Sequence, residues 1–161
     1  MTPEVSDRAL ILAPQGRDAG VARAMLAEAS IPGQIVYDVA ELVEQLAAGA
    51  GIAVVTEEAL TDSDLHGLSA WLDAQPEWSD FPFVVLTQRG GGLERNPQAG
   101  RLLSLLGNVT FLERPFHPTT FVSLVQSAQR GRRRQYEARA RLQELNQLAA
   151  DLERRVEQRT A

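Results

Sequence analysis

The densest cluster of ligand-binding side chains in this sequence is Arg130-Gly-Arg-Arg-Arg134, four guanidinium groups in five residues. Clustered arginines neutralise phosphates, so nucleic acid is the first partner to weigh. No helix-turn-helix and no aromatic-interleaved platform follows the run, and nucleic acid is therefore not expected. The run reads as a solvated hinge with Gly131 as the place for a bend, its arginines available to an acidic surface of the same or a partner chain. Gln88-Arg-Gly-Gly-Gly-Leu-Glu-Arg95 is a second candidate, a glycine-rich loop with arginines at both ends. It suits a small anionic ligand by position, but it carries neither phosphate-cradle fingerprint and reads as a connection. The turn Pro14-Gln-Gly-Arg-Asp18 has one glycine and is no dinucleotide site either. His66 and His117 stand far apart and cysteine is absent, so no metal site is expected. Asp64, His66 and Ser69 share a polar surface stretch and form no triad. His117, before Pro118, reads as a helix-entry residue, and Trp71 and Trp78 are expected to pack against a sheet. No catalytic residue and no cofactor is assigned.

Charge divides the chain in two. Residues 1–117 carry seven arginines against sixteen acids, a net of −9, while residues 118–161 carry nine against five, a net of +4. There is no lysine. An acidic globule joined to a basic tail implies two regions with different tasks. The 44% hydrophobic and 23% charged composition over 161 residues is that of one domain with a sizeable core plus an appendage. No apolar run approaches the roughly 18 residues of a membrane span, no signal peptide is read, and the missing cysteines permit a reducing compartment. A cytoplasmic protein is the expectation.

The elements that must position any site follow from periodicity. Residues 9–13, 51–56, 83–87 and 109–112 are near-continuous apolar runs, and 34–37 is a shorter one. Such runs suit a parallel sheet covered on both faces. Helix-period segments lie between them: Val21, Met25, Leu26 and Ala29; Leu42, Val43 and Leu46; Leu65, Leu68 and Leu72; Leu102, Leu103, Leu105 and Leu106. Strict strand–helix alternation predicts an α/β fold, a doubly wound five-stranded parallel sheet of (βα)5, flavodoxin-like type. Phe121, Val122, Leu124, Val125 and Ala128 give the apolar face of a last helix covering it. Residues 119–160 contain no proline and only one glycine, Gly131. Leu142, Leu145, Ala149, Leu152 and Val156 follow a-d-a-d-a spacing, which predicts a coiled coil. The expected division is a globule over 1–130 and a helical linker over 131–161.

Phe111-Leu-Glu-Arg-Pro-Phe116, followed by an amphipathic helix, resembles the end of a two-component receiver domain, where the fifth strand runs into a Lys-Pro-Phe-like turn. Phe83-Val-Val-Leu-Thr87 is similar to the fourth receiver strand, which ends in Ser or Thr. The resemblance covers residues 8–130. The tail Asp151-Leu-Glu-Arg-Arg-Val-Glu-Gln-Arg-Thr-Ala161 resembles the helical connectors that precede sensor histidine kinase cores, and a fragment of a longer kinase is expected from it.

What the resemblance implies is a phosphorylation site, and the sequence departs from it. A working receiver needs an acidic pair after the first strand and an aspartate ending the third, because phosphoryl transfer rests on positioning and Mg²⁺ wants carboxylate oxygens. The pair aligns with Ala13-Pro14. The phosphoacceptor aligns with Thr56, or with Glu57 if the third strand shifts by one. Thr87 keeps its place, and Arg114 stands for the lysine, with a planar fork instead of a point charge. Pairing of Arg114 with Glu57 or Glu58 competes with a solvated surface arrangement. A pseudo-receiver is expected, one that acts by contact. It would form a homodimer through Leu142, Leu145, Ala149, Leu152 and Val156, aided by the fourth-helix, fifth-strand and fifth-helix surface that receivers use. It would transmit through its helix to a downstream kinase core or other output. The alternatives are phosphorylation on a non-aspartate residue and sensing of a small anionic ligand.

Overall fold

The computed structural model describes residues 6–88 and 96–160. Strands β1 (Ala9–Leu12), β2 (Gly33–Val36), β3 (Ile52–Thr56), β4 (Phe83–Thr87) and β5 (Val109–Glu113) form one parallel sheet in the order β2-β1-β3-β4-β5. Every residue of β1, β3 and β4 is buried, which is why these strands show no polar alternation. Helices α1 (Asp18–Glu28) and α6 (Pro118–Thr160) cover one face, where Ile11, Leu26, Val54, Val84, Phe121 and Val125 form the core. On the other face α2 (Val39–Ala48), α4 (His66–Asp73) and α5 (Pro97–Leu106) close over Leu10, Leu42, Val55, Leu68, Phe83 and Leu102. The expected (βα)5 architecture is present, with one addition. A short helix, α3 (Glu57–Thr61), follows β3 directly and buries only Ala59 and Leu60, too little to produce a helical period in the sequence.

The sheet's N-terminal edge is drawn tight by residues with no catalytic pretension. Arg8 donates to the carbonyls of Gly49 (2.7 Å) and Gln45 (3.0 Å) at the end of α2, the latter shared with the Gly49 amide (3.1 Å). Gly51 passes so close to the preceding chain that a Cβ there would lie 2.9 Å from the Asp7 Cα. Gly51→Ala is expected to cost about 1–3 kcal/mol through this backbone overlap, measurable as a lower urea midpoint.

α6 begins at the C-terminal edge of the sheet, where the His117 carbonyl accepts from the Phe121 amide (3.1 Å) and its ring Nδ1 from the Thr119 amide (3.2 Å). It crosses the sheet and leaves beyond the opposite edge. α6 is not interrupted at Gly131: it is a single helix of 43 residues, about 65 Å along its path. The arginine run is solvated only in part: Arg130, Arg133 and Arg134 are exposed, whereas Arg132 is only 1% exposed. Its guanidinium lies 4.9 Å from the Tyr136 ring, 5.1 Å from Phe81 and 5.4 Å from Trp78. It donates to Ser79 Oγ (2.8 Å) and Gln135 Oε1 (2.6 Å), while Nε has no hydrogen-bond partner among the described residues. Burial pulls its pKa below the ordinary value, opposed by the nearby Tyr136 and Asp80, and a guanidinium stays charged regardless.

Around this cation the Gln135 amide pairs with Asp80 in both directions, accepting from its N–H and donating to its carbonyl, each at 2.8 Å. The Tyr136 hydroxyl donates to the Ala50 carbonyl (3.0 Å), and Arg133 pairs with Asp7 (3.3 Å). Trp78 therefore packs on α6 and not on the sheet; Arg139 also lies over its ring. Trp71 does pack inward, edge-on to Phe81. Contact between α6 and the globule thus continues to Arg139, past the division expected at residue 130.

Candidate functional site

The residues singled out by the receiver resemblance converge on the C-terminal edge of the sheet. Buried Ala13 and exposed Pro14 follow β1. Thr56 ends β3, and its hydroxyl accepts from the Ala59 amide (3.4 Å) to cap α3. Thr87 ends β4 and is buried. Its carbonyl accepts from both the backbone N–H (2.9 Å) and the Nε (3.1 Å) of Arg114, the residue after β5.

Arg114 settles which carboxylate it meets. Nη2 pairs with Glu58, and Nη1 with Asp18 at 3.1 Å. With its Nε on Thr87, the guanidinium is engaged along all three of its nitrogens, the fixed geometry that makes arginine suit such a junction. The Arg114 and Glu58 side chains are 21% and 19% exposed, so the pair is too sheltered to be an ordinary surface contact. Glu57 takes no part. It accepts from the Asn96 side chain, which also caps α5 by accepting from the Gln98 amide (3.0 Å). Of the two glutamates open in the sequence, Glu58 pairs with Arg114, and Asp18 was not foreseen. Its position as the first residue of α1, at the same sheet edge, is the signal that would have marked it.

Beside this ion triad lies an open groove of about 520 Å³, lined by Asp18, Glu58 and Arg114 together with Val21, Met25 and Phe116. No group of three His, Cys, Asp or Glu among the described residues is placed to hold a metal ion. Residues 89–95 of the glycine-rich loop lie outside the described residues. His66 and Asp64 pair at 2.6 Å on the open surface, almost fully solvated. The Asp64 carboxyl is held below its usual pKa first by the His66 backbone N–H. No described helix is long and apolar enough to cross a membrane.

A second candidate lies at the far end of the molecule. Leu142, Leu145, Leu152 and Val156 are 45%, 61%, 59% and 59% exposed, Ala149 is exposed beside them, and Leu148, absent from the heptad reading, is 59% exposed. Large side chains this open, recurring along one helix, form an exposed apolar stripe.

No family model matches the chain, nor does any curated protein. Solved structures do. Full-length FixJ from B. japonicum superposes with a TM-score of 0.64 at 21% identity, covering 93% of this chain and 70% of FixJ. The signal receiver domain of an HD domain-containing protein from Pseudomonas fluorescens Pf-5 gives 0.66 at 11% identity, over 85% and 96% of the two chains. A fusion carrying the yeast Spc42 trimeric coiled coil gives 0.64 at 16% identity, over 97% and 99%. At these identities the likeness establishes the fold: a CheY-like receiver fold, as in two-component response regulators, followed by a long C-terminal helix.

Proposed function

We propose that this chain is a signalling module of a two-component protein that is not phosphorylated. It works by protein contact and self-association, and transmits through α6 to an output such as a histidine kinase core. The observation that carries this reading is the engagement of Arg114 by Glu58 and Asp18 at the end of the sheet where a receiver would place its phosphoryl group. Two carboxylates of the chain itself neutralise that cation permanently, so the edge is held in one arrangement without a modification. Ala13 and Pro14 offer no metal ligand, and Thr56 is occupied as a helix cap.

Incubation with Mg²⁺ and acetyl phosphate, or with beryllofluoride, is expected to leave the intact mass and the melting temperature unchanged. Stable modification of the protein, on Thr56 or any other residue, would overturn the reading. Self-association is expected through the stripe from Leu142 to Val156. Burying four such half-exposed side chains from each of two chains gains on the order of 10 kcal/mol gross. Association costs a large share of it, so a dimer of micromolar affinity is expected.

A further inference from the structure

The arginine run divides its side chains between two flanks of the globule. Arg132 turns toward residues 78–81. Arg130 and Arg133 turn the other way and, with Gln126 and Gln129, form one wall of a cleft of about 580 Å³. The facing wall is Asp7 and the turn at residues 29–32 that leads from α1 into β2. The cleft therefore opens at the N-terminal edge of the sheet, across the molecule from Arg114. Residues three apart on a helix share a face, so the two guanidinium groups stand side by side. Arg133 pairs with the Asp7 carboxylate (3.3 Å), while Arg130 has no hydrogen-bond or ion partner among the described residues. Two cations against one carboxylate make the lining positive, on a globule that is otherwise strongly acidic. Gln129, 5% exposed, donates to the Asp7 carbonyl (2.7 Å) and fixes that backbone. The Asp7 carboxylate is half-exposed and has room to swing into solvent.

The turn is unusual as well. α1 ends in a Schellman motif, with the Ser30 amide on the Ala27 carbonyl (3.0 Å) and the Ile31 amide on the Leu26 carbonyl (2.9 Å). The left-handed position of that motif, at φ 61°, is held by Ser30, the only non-glycine residue with positive φ among the described residues. Glycine adopts this conformation without the strain a Cβ brings. The residue that carries the strain also lines the cleft, and strained residues gather at ligand clamps.

We infer that this cleft binds a small organic phosphate ester. The phosphate sits between Arg130 and Arg133, whose forked guanidinium groups match its oxygens, and the Ser30 hydroxyl is a further donor. The volume exceeds what a phosphate fills and lies within the roughly 300–1,000 Å³ of small-molecule sites. Ile31, Pro32 and the Gln126 side chain are the wall for the organic body. Asp7 competes for Arg133 and swings out when the ester binds. The bound ester ties the α1–β2 turn to α6 beside the Arg132 cage, so occupancy tightens the globule's hold on the helix. This goes beyond the contact reading above by giving the module an input that needs no phosphorylation.

Isothermal titration of the full chain with adenosine monophosphate and glycerol phosphate tests the site, with adenosine, glycerol and inorganic phosphate as controls. Both esters are expected to bind with Kd below about 1 mM, and adenosine and glycerol not at all. Arg130→Gln and Arg133→Gln should each weaken binding about tenfold or more. Asp7→Asn removes the competitor and should tighten it about threefold, a gain that misfolding does not produce. Ser30→Gly should weaken binding about fivefold with the melting temperature unchanged or raised. No heat from either ester at about 10 mM, or full affinity in Arg130→Gln, would overturn the site. Inorganic phosphate binding as tightly as the esters would overturn the organic body as part of the ligand. Failure on either count leaves the contact reading standing, since the acetyl phosphate experiment decides that separately.

Discussion

Arg132→Ala is expected to destabilise the globule by about 3–4 kcal/mol, which for a chain of this size lowers Tm by roughly 10 °C. The magnitude follows from what the side chain does. It fills a pocket between three aromatic rings at 1% exposure and satisfies Ser79 and Gln135. Truncation would leave a cavity among Trp78, Phe81 and Tyr136, remove cation–π attraction worth about 0.5–2 kcal/mol per contact when desolvated, and strip Ser79 of its donor. Trp78 emission should shift to the red as α6 loosens from residues 78–81. Two further variants separate shape from charge. Arg132→Met keeps most of the volume and suits an aromatic pocket, so it should recover part of the loss. Arg132→Lys keeps the charge but not the planar fork, and should recover less. A loss below about 1 kcal/mol for Arg132→Ala in urea or thermal melts would mean that the cage contributes little to holding the helix.

That residue also marks the limit of what the sequence discloses. The sheet was legible because strands buried on both faces must be apolar throughout, and β1, β3 and β4 obey this residue by residue. The receiver fold followed from strand order and from Thr87 and the Arg114–Phe116 turn. Arg132 was hidden because four arginines in five residues look uniformly solvated. Which of them turns inward depends on helical phase, and phase is set by Phe121 and Val125 eleven and seven residues earlier. Continuing that strip through Gln129 leads to Arg132 and then to Tyr136, whose aromatic ring was the one local hint that the buried face outlasts the apolar pattern. The cage's other walls, Trp78 and Phe81, are more than fifty residues away in the chain, and no periodicity links them to α6. The candidate site shows the same division. Thr87 and Arg114 follow from their strand ends, whereas the end of the third strand reads as either Thr56 or Glu57 until the α3 cap is seen. The choice of Glu58 over Glu57, and the arrival of Asp18, depend on the single turn by which α3 and α1 depart from the sheet edge.

The paired substitution Leu145→Glu with Leu152→Glu is expected to abolish self-association, weakening the dimer by more than 100-fold, while the globule's melting temperature stays within about 2 °C of the parent. Both leucines are about 60% exposed in the single chain and lie beyond the last contact of α6 with the globule, so the monomer loses almost nothing. In the dimer they occupy both d positions, and each substitution puts a carboxylate where a leucine should be buried. Four carboxylates would then face one another across a seam that must exclude water, where leaving a single charge unpaired costs several kcal/mol. The comparison with Arg132 is informative because the two defects act on opposite sides of the same helix. Arg132→Ala should lower Tm while leaving the stripe chemically intact, whereas the double glutamate variant should leave Tm and remove the dimer. Sedimentation velocity with parallel thermal melts reads both quantities. A double variant that still dimerises would assign self-association to another surface, and one that melts well below the parent would show that the helix beyond Arg139 contributes to the globule after all.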